Sequence, residues 1–132
     1  MNKAILMGRL TRDPEMRQTQ SGVAVANFTV AVDRRFKNKD GEYDTDFINC
    51  VAWRQQAEFV SKYFYKGKPI LVVGTIQTRT WEDDEGKRRY ATEVVVDEVS
   101  FTLTDRGLGQ QTEIQDVPDE SDDADMPLPF DL

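Results

Sequence analysis

The stretch from Phe47 to Trp53 constrains the fold of this chain most, because its side chains alternate with a period of two. That period is typical of a β-strand. One face carries the small or aliphatic side chains expected of a buried surface, namely Ile48, Cys50 and Ala52. The other face begins with Phe47 and ends with Trp53, about 20 Å apart on a strand, which would suit two stacking positions for an extended ligand. Aromatic residues on strands also serve as core residues, and this stretch alone leaves both roles open.

Four other segments have strand patterns and one has helical spacing. The strands are expected at Ala4–Leu10, Val23–Val32, Ile70–Trp81 and Tyr90–Val96, the last of them continued or partnered by Val99–Leu103. Gln55–Lys66 has the apolar spacing of a helix, with Gly67 as its C-terminal stop. Residues 11–22 show no clean period and are expected to form a loop or irregular edge.

The order of these segments predicts a fold. Five strands with one helix between the third and the fourth, in about 105 residues, is the order of an all-β OB-fold, a five-stranded Greek-key barrel. Gly8 and Gly74 fall inside strands, where glycine marks a bulge or a bend. Other small barrels fit the same pattern nearly as well.

Charge divides the chain into two parts. All 17 Lys and Arg residues precede position 107, whereas residues 107–132 contain eight of the 24 acids. That last segment is rich in Gly, Gln, Asp and Pro and has no period, so we expect a folded domain at 1–106 and a disordered acidic tail at 107–132. Because the acidity belongs to the tail, the overall charge of −7 does not argue against a nucleic-acid ligand.

The residue types make an enzyme hard to build. The chain has no His and a single Cys, Cys50, so the commonest general base and a Cys/His zinc cluster are both missing. We expect no catalytic activity, no metal and no cofactor. Cys50 lies on the aliphatic face of its strand and is expected to be a buried small hydrophobe. The sequence shows neither a disulfide pair nor an apolar run of signal-peptide or membrane-spanning length, which favours a cytoplasmic protein with no membrane partner.

Aromatic residues stand beside cations at several places in the chain. Phe36 lies among basic residues just before an Asp40-Gly41 hairpin turn, and Trp53 precedes a basic residue. Trp81 has basic residues before it and across the following turn. The cations at these places are Arg34, Arg35, Lys37, Lys39, Arg54, Arg79, Lys87, Arg88 and Arg89.

This combination favours a single-stranded nucleic acid, because rings stack on any base and cations attract any phosphate. A duplex would hide the faces of its bases. Two alternatives remain: a basic turn can be merely a solvated surface, and a barrel of this kind can be a scaffold subunit of a replication or recombination assembly with weak affinity for nucleic acid.

Several motifs together resemble the bacterial single-stranded DNA-binding protein family, over about residues 1–104. They are Gly8-Arg9-Leu10-Thr11 with Asp13-Pro14-Glu15, Phe28 with Ala31-Val32, Gly41-Glu42 leading to Asp46-Phe47-Ile48, Trp53 with Ala57-Glu58, Lys66-Gly67, Gln77-Thr78-Arg79 and Thr92-Glu93-Val94. The resemblance implies an OB-fold homotetramer that binds and protects single-stranded DNA in replication, recombination and repair. It carries the stacking positions over to Phe36, Phe47, Trp53 and Trp81.

The resemblance also implies that the acidic tail docks onto partner proteins of replication, recombination and repair through its tip. The matching residues here are Asp122, Asp123, Asp125, Leu128, Pro129 and Phe130. Tails of this family typically end at the Phe, whereas Asp131-Leu132 follow it in this chain.

Overall fold

A computed structural model describes residues 1–102 of the chain. Within them it has these elements in order: β1 (Ala4–Leu10), β2 (Glu15–Gln18), β3 (Ala24–Lys37), β4 (Tyr43–Trp53), α1 (Arg54–Tyr63), β5 (Pro69–Glu82) and β6 (Arg88–Ser100). The predicted tail at 107–132, with the six residues of its tip, lies outside the described residues. No helix of the described part is long and apolar enough to cross a membrane.

The strands form one sheet that closes on itself. Their order is β1-β5-β6-β4-β3-β2, and a further pairing of β1 with β3 closes the five-stranded ring, leaving β2 on its outside. Neighbouring strands are antiparallel except β4 and β6, which run parallel at Cys50 beside Val94 and Val51 beside Val95. The all-β OB-fold barrel, with its helix between the third and fourth strands of the ring, is therefore confirmed.

The core is filled by the inner face that the alternation in β4 predicts. Cys50 and Ala52 are almost completely buried, and Phe28 and Val30 on β3 join them in one cluster with Ile70. Burial raises the pKa of the Cys50 thiol to about 12, so it stays protonated at neutral pH and packs as a small hydrophobe. The predicted burial of Cys50 is confirmed.

Two glycines allow backbones to approach closely. A Cβ on Gly8 would lie 2.2 Å from the carbonyl oxygen of Ala31, at the point where β1 passes from β5 to β3. A Cβ on Gly74 would lie 2.3 Å from the carbonyl oxygen of Val95. The pairing of β5 with β6 also shifts register at Gly74, so the predicted irregularity there is confirmed.

Of the two roles expected for Val99–Leu103, continuation of the last strand is confirmed as far as Ser100. β6 runs without a break from Arg88 to Ser100. Val73 pairs with Glu98 and Gly74 with Val96, which leaves one extra residue, Asp97, on β6. This bulge reverses the alternation, so Val96 and Val99 both face the core although they stand three residues apart.

The helix ends earlier than its spacing predicts. It runs from Arg54 to Tyr63, and Phe64 is already extended, with φ −120° and ψ 150°. The Phe64 ring stacks on Phe101 with 5.1 Å between the ring centroids. This contact with a residue 37 positions later in the sequence accompanies the end of the helix. Gly67 does not stop the helix; its φ of +86° belongs to a separate turn closed by Lys68 N donating to Tyr65 O at 3.0 Å.

The segment expected to be a loop or irregular edge contains the short strand β2. Its four residues pair with β3 from Glu15 opposite Asn27 to Gln18 opposite Ala24. All four side chains are exposed. Because neither face of β2 is buried, its sequence has no hydrophobic alternation to reveal it.

Candidate nucleic-acid interface

One side of the sheet runs continuously over β4, β6 and β5 on the outside of the barrel. Phe47 and Trp53 point outward from β4 with 66% and 43% of their surface exposed. On the same side of β4, Val51 lies beside Val95 of β6, which is opposite Thr75 of β5. Since paired residues point to the same side of a sheet, the outer surface of β4 continues across β6 to β5.

Trp81 lies on this outer surface as well. It follows Thr75 on β5 by six residues, so strand alternation returns it to the same side as Gln77 and Arg79. Trp81 is 42% exposed. The structure therefore brings Phe47, Trp53 and Trp81 to one surface, with their rings accessible rather than in the core.

Two hairpin arms project from the same end of the barrel. The 34–45 arm joins β3 to β4, and the 79–90 arm joins β5 to β6. Because β4 and β6 are parallel, both begin at the same end of the sheet. Each turn is held by a side-chain oxygen: Asn38 Oδ1 accepts from the backbone of Asp40 and Glu42, and Asp83 Oδ1 accepts from Glu85 and Lys87.

The four predicted stacking residues lie toward two opposite ends of the sheet. Phe36 and Trp81 lie on the arms, and Phe47 lies close to the same end of β4. Trp53 is the last residue of β4, at its opposite end, where α1 begins. An extended ligand that contacts both Phe47 and Trp53 must therefore run along the outside of β4.

Phe36 is the most exposed of the four rings, at 78%, and it lies in the part of the arm where the pairing of β3 with β4 shifts register, between Asp33 and Lys37. Tyr43 pairs with Lys37, whose Nζ is 5.8 Å from the Tyr43 ring centroid. Tyr43 is an exposed ring on the outer side of β4 that sequence reasoning missed, although continuing the alternation back from Phe47 would have indicated it.

Three of the nine predicted phosphate contacts are already paired with carboxylates. Arg34 makes a two-bond fork with Asp46, Nε to Oδ2 at 3.1 Å and Nη2 to Oδ1 at 2.9 Å. These hydrogen bonds lower the pKa of Asp46 and raise the pKa of Arg34 from their ordinary values. Arg79 Nε lies 3.0 Å from Glu93 Oε1, and Arg89 Nε lies 2.8 Å from Asp83 Oδ2.

Asp83 is the most heavily hydrogen-bonded of these carboxylates. The hydrogen bond from the backbone N–H of Lys87, with those from Arg89 and Glu85, lowers its pKa from the ordinary value. The other predicted phosphate contacts form no salt bridge within residues 1–102; they are Arg35, Lys37, Lys39, Arg54, Lys87 and Arg88. These six cations, five of them on the arms, are the ones free to meet phosphate.

The Trp53 end of the surface has its own cations. Arg54 has a φ of +52°, the one positive φ outside glycine in the described chain, and this conformation turns β4 directly into α1. An open polar cleft beside it is lined by Arg54, Gln55, Glu58 and the turn between β2 and β3. Arg17 on β2 is opposite Val25, which is in turn opposite Trp53, so Arg17 is a further cation on this side. Sequence reasoning missed Arg17 because β2 itself was not recognised.

Exposed rings and cations spread over an open surface suit a long polymer rather than a small molecule in a closed pocket. Among residues 1–102, no group of three or more Cys, Asp or Glu side chains is placed to hold a metal ion. The barrel and this surface define the chain as an OB-fold domain with an extended open face of exposed rings and cations.

The chain belongs to the single-strand binding protein family, whose model matches residues 1–102. It is 54% identical over 111 residues to the "Single-stranded DNA-binding protein" of Halalkalibacterium halodurans, over 84% of this chain and 66% of that relative. The protein of the same name from Bacillus cereus is 53% identical, over 84% and 65% of the two chains. "Single-stranded DNA-binding protein 1" of Lactococcus lactis is 50% identical, over 85% and 75%. The chain thus spans slightly less than two thirds of the length of the first two relatives.

Proposed function

We propose that this chain binds single-stranded DNA without sequence preference and protects it in the cytoplasm during replication, recombination and repair. The observation that supports this most is the outer surface of β4, β6 and β5, where Phe47, Trp53 and Trp81 are exposed beside unpaired cations. Stacking on a ring is worth about 1–3 kcal/mol per base and needs no particular base. In a duplex the base faces are covered, so these rings would find nothing to stack on.

A fluorescence titration tests this function, because both Trp residues of the chain lie on the proposed surface. Oligo(dT), alone or in duplex with oligo(dA), is added at low and at high salt. We expect strong quenching by the single strand alone, and a log-log slope of affinity against salt of about −0.7 for each phosphate neutralised. Little quenching by either form, in a protein that remains folded, would contradict the proposal and favour the scaffold alternative.

We also propose that the chain assembles into a homotetramer through β1. Residues Ala4–Gly8 pair with β5, whereas the pairing with β3 is confined to Arg9 and Leu10, so one edge of β1 is open within the described chain. Two open edges can pair antiparallel about a twofold axis, since a twofold interface uses the same strand twice. Beside this edge Ile5 and Met7 expose 67% and 58% of their surface, an apolar face suited to packing one dimer on another.

A charge on the apolar face of β1 should break this assembly. Met7→Glu is expected to lower the mass measured by sedimentation equilibrium, because the carboxylate would have to be buried at the interface. Met16→Glu on β2 is the matched control, since Met16 is exposed on a strand that takes no part in the proposed interface. An unchanged mass for Met7→Glu would refute the role of this face.

We propose that the acidic tail recruits partner proteins and has no part in holding DNA. Residues 107–132 carry eight acids and no base, and an anionic segment competes with DNA for the same cations. Removal of 107–132 is therefore expected to leave the affinity for oligo(dT) unchanged or slightly higher in the same titration. Clearly weaker binding by the truncated chain would mean that the tail belongs to the DNA-binding surface.

A further inference from the structure

We propose that Arg79 is a positioning residue for Trp81 and not a phosphate contact. In this role Glu93 fixes the guanidinium of Arg79, which covers one face of the Trp81 indole, so that a base stacks on the opposite face. The inference rests on the proposed binding of single-stranded DNA and concerns how one stacking position of that surface is prepared.

Two side chains of the 79–90 arm, Arg79 and Trp81, form a connected set with Glu93 of β6. Arg79 Nε donates to Glu93 Oε1 at 3.0 Å. The guanidinium carbon of Arg79 lies 4.6 Å from the Trp81 ring centroid, the shortest of the cation–ring distances in the described chain. The Glu93 side chain is only 15% exposed, against 58% for Arg79, so the carboxylate is the fixed end of the pair.

The strand register explains why the guanidinium lies there. Arg79 is directly opposite Ala91, whose small side chain leaves room above the sheet. Glu93 is the next residue of β6 on that side and reaches Arg79 diagonally. Trp81 follows Arg79 by two residues on β5 and so lies on the same side. The planar guanidinium of Arg79 can therefore lie against the Trp81 ring.

The other arginine near the indole is held in the same way. Arg89 is directly opposite Trp81 on β6, and its Nε lies 2.8 Å from Asp83 Oδ2. Both arginines beside Trp81 are thus tied to carboxylates of the described chain before any DNA arrives. Lys87 and Arg88 of the same arm form no salt bridge within residues 1–102, so they are the cations of this arm available to phosphate.

Two physical consequences follow from this arrangement. A guanidinium over an aromatic face is attracted to it, which limits the motion of the indole and leaves one face open. The Glu93 carboxylate offsets the charge of Arg79, so Arg79 adds little to the attraction for phosphate. Removing Arg79 should therefore weaken stacking on Trp81 without changing the number of phosphates neutralised.

The test uses a Trp53→Phe protein, in which Trp81 is the single Trp. Arg79→Gln in this protein is expected to increase quenching of the free protein by acrylamide, because the covered face becomes open. Its affinity for oligo(dT) should fall about two- to fivefold, the size of an exposed cation–π contact. The salt slope should stay unchanged, whereas the control Lys87→Gln should reduce its magnitude by about 0.7.

Two further variants separate orientation from charge. Arg79→Lys keeps the charge but has no planar fork, so it should behave like Arg79→Gln. Glu93→Ala releases the guanidinium and should also increase acrylamide quenching. A smaller salt slope for Arg79→Gln that Arg79→Lys restores would make Arg79 a phosphate contact and overturn the proposal, as would unchanged acrylamide quenching in Arg79→Gln. Failure of the Trp53→Phe protein itself to bind oligo(dT) would instead overturn the proposed function.

Discussion

Replacement of Trp53 by Ala is expected to weaken binding of oligo(dT) by about 5- to 150-fold, the equivalent of roughly 1–3 kcal/mol for one stacked base. Trp53 ends β4 with an outward ring, and its side chain makes no capping hydrogen bond to α1. The start of the helix therefore receives no hydrogen bond from the indole. Binding is measured as the amount of labelled oligo(dT) that the protein retains. This readout does not depend on the fluorescence of the Trp that has been removed.

The control for this prediction is Trp53→Phe, which keeps a ring and should lose much less affinity. Val25, directly opposite Trp53 on β3, is buried, so a thermal melt of each variant must accompany the binding curve. Unfolding of Trp53→Ala at the assay temperature would mean that the Trp53 ring stabilises the core and is not a stacking position. Trp81→Ala is expected to lose affinity within the same range, with a smaller effect on the melt because its ring lies on an arm.

The largest effect on stability is expected from Gly8→Ala. The added methyl would lie 2.2 Å from the carbonyl oxygen of Ala31 and 2.9 Å from Val30 Cγ1, so the backbone of β1 or β3 must move. Forced overpacking of this kind costs about 3 kcal/mol at the upper end of its usual range. For a domain of this size the melting temperature should fall by on the order of 10–20 °C.

Gly41→Ala is the control for Gly8→Ala, because it introduces backbone strain without steric overlap. Gly41 has a φ of +80° in the turn of the 34–45 arm, and nothing lies within 4 Å of its missing Cβ. Its replacement should cost about 1–2 kcal/mol, the price of a left-handed conformation alone. A melt of Gly8→Ala no lower than that of Gly41→Ala, at equal protein concentration, would mean that β1 and β3 can part at this point without loss.

The sequence was most informative where one face of a strand is buried. The alternation around Cys50 predicted the buried face of β4 and placed Phe47 and Trp53 together on the other face, since a period of two assigns every side chain to a face. It left open whether that second face is buried or exposed. The same reasoning placed Trp81 on one side of β5 with Gln77 and Arg79. The pattern of strands alone fitted several small β-barrels, and the resemblance to a known family selected the OB-fold among them.

Features that depend on contacts distant in the sequence were missed. Phe64 leaves the helix to stack on Phe101, and no spacing within the helix reports that partner. The extra residue at Asp97 shows only in the pairing of β5 with β6. The carboxylate partners of Arg34 and Arg79 stand 12 and 14 residues away on the neighbouring strand, so a count of cations overstated those free to meet phosphate.

The parallel pairing of β4 with β6 gives the proposed binding surface a direction. Both arms, with most of the free cations, stand at one end of β4, whereas the other end carries Trp53 beside α1 and its polar cleft. A strand of DNA has a 5′ and a 3′ end, and laying it along β4 in the two opposite senses brings different atoms to these unlike ends. A difference of about 1.4 kcal/mol between the two orientations would make one tenfold more populated than the other. Under the proposed function, a surface that stacks on any base would then still distinguish the polarity of the strand.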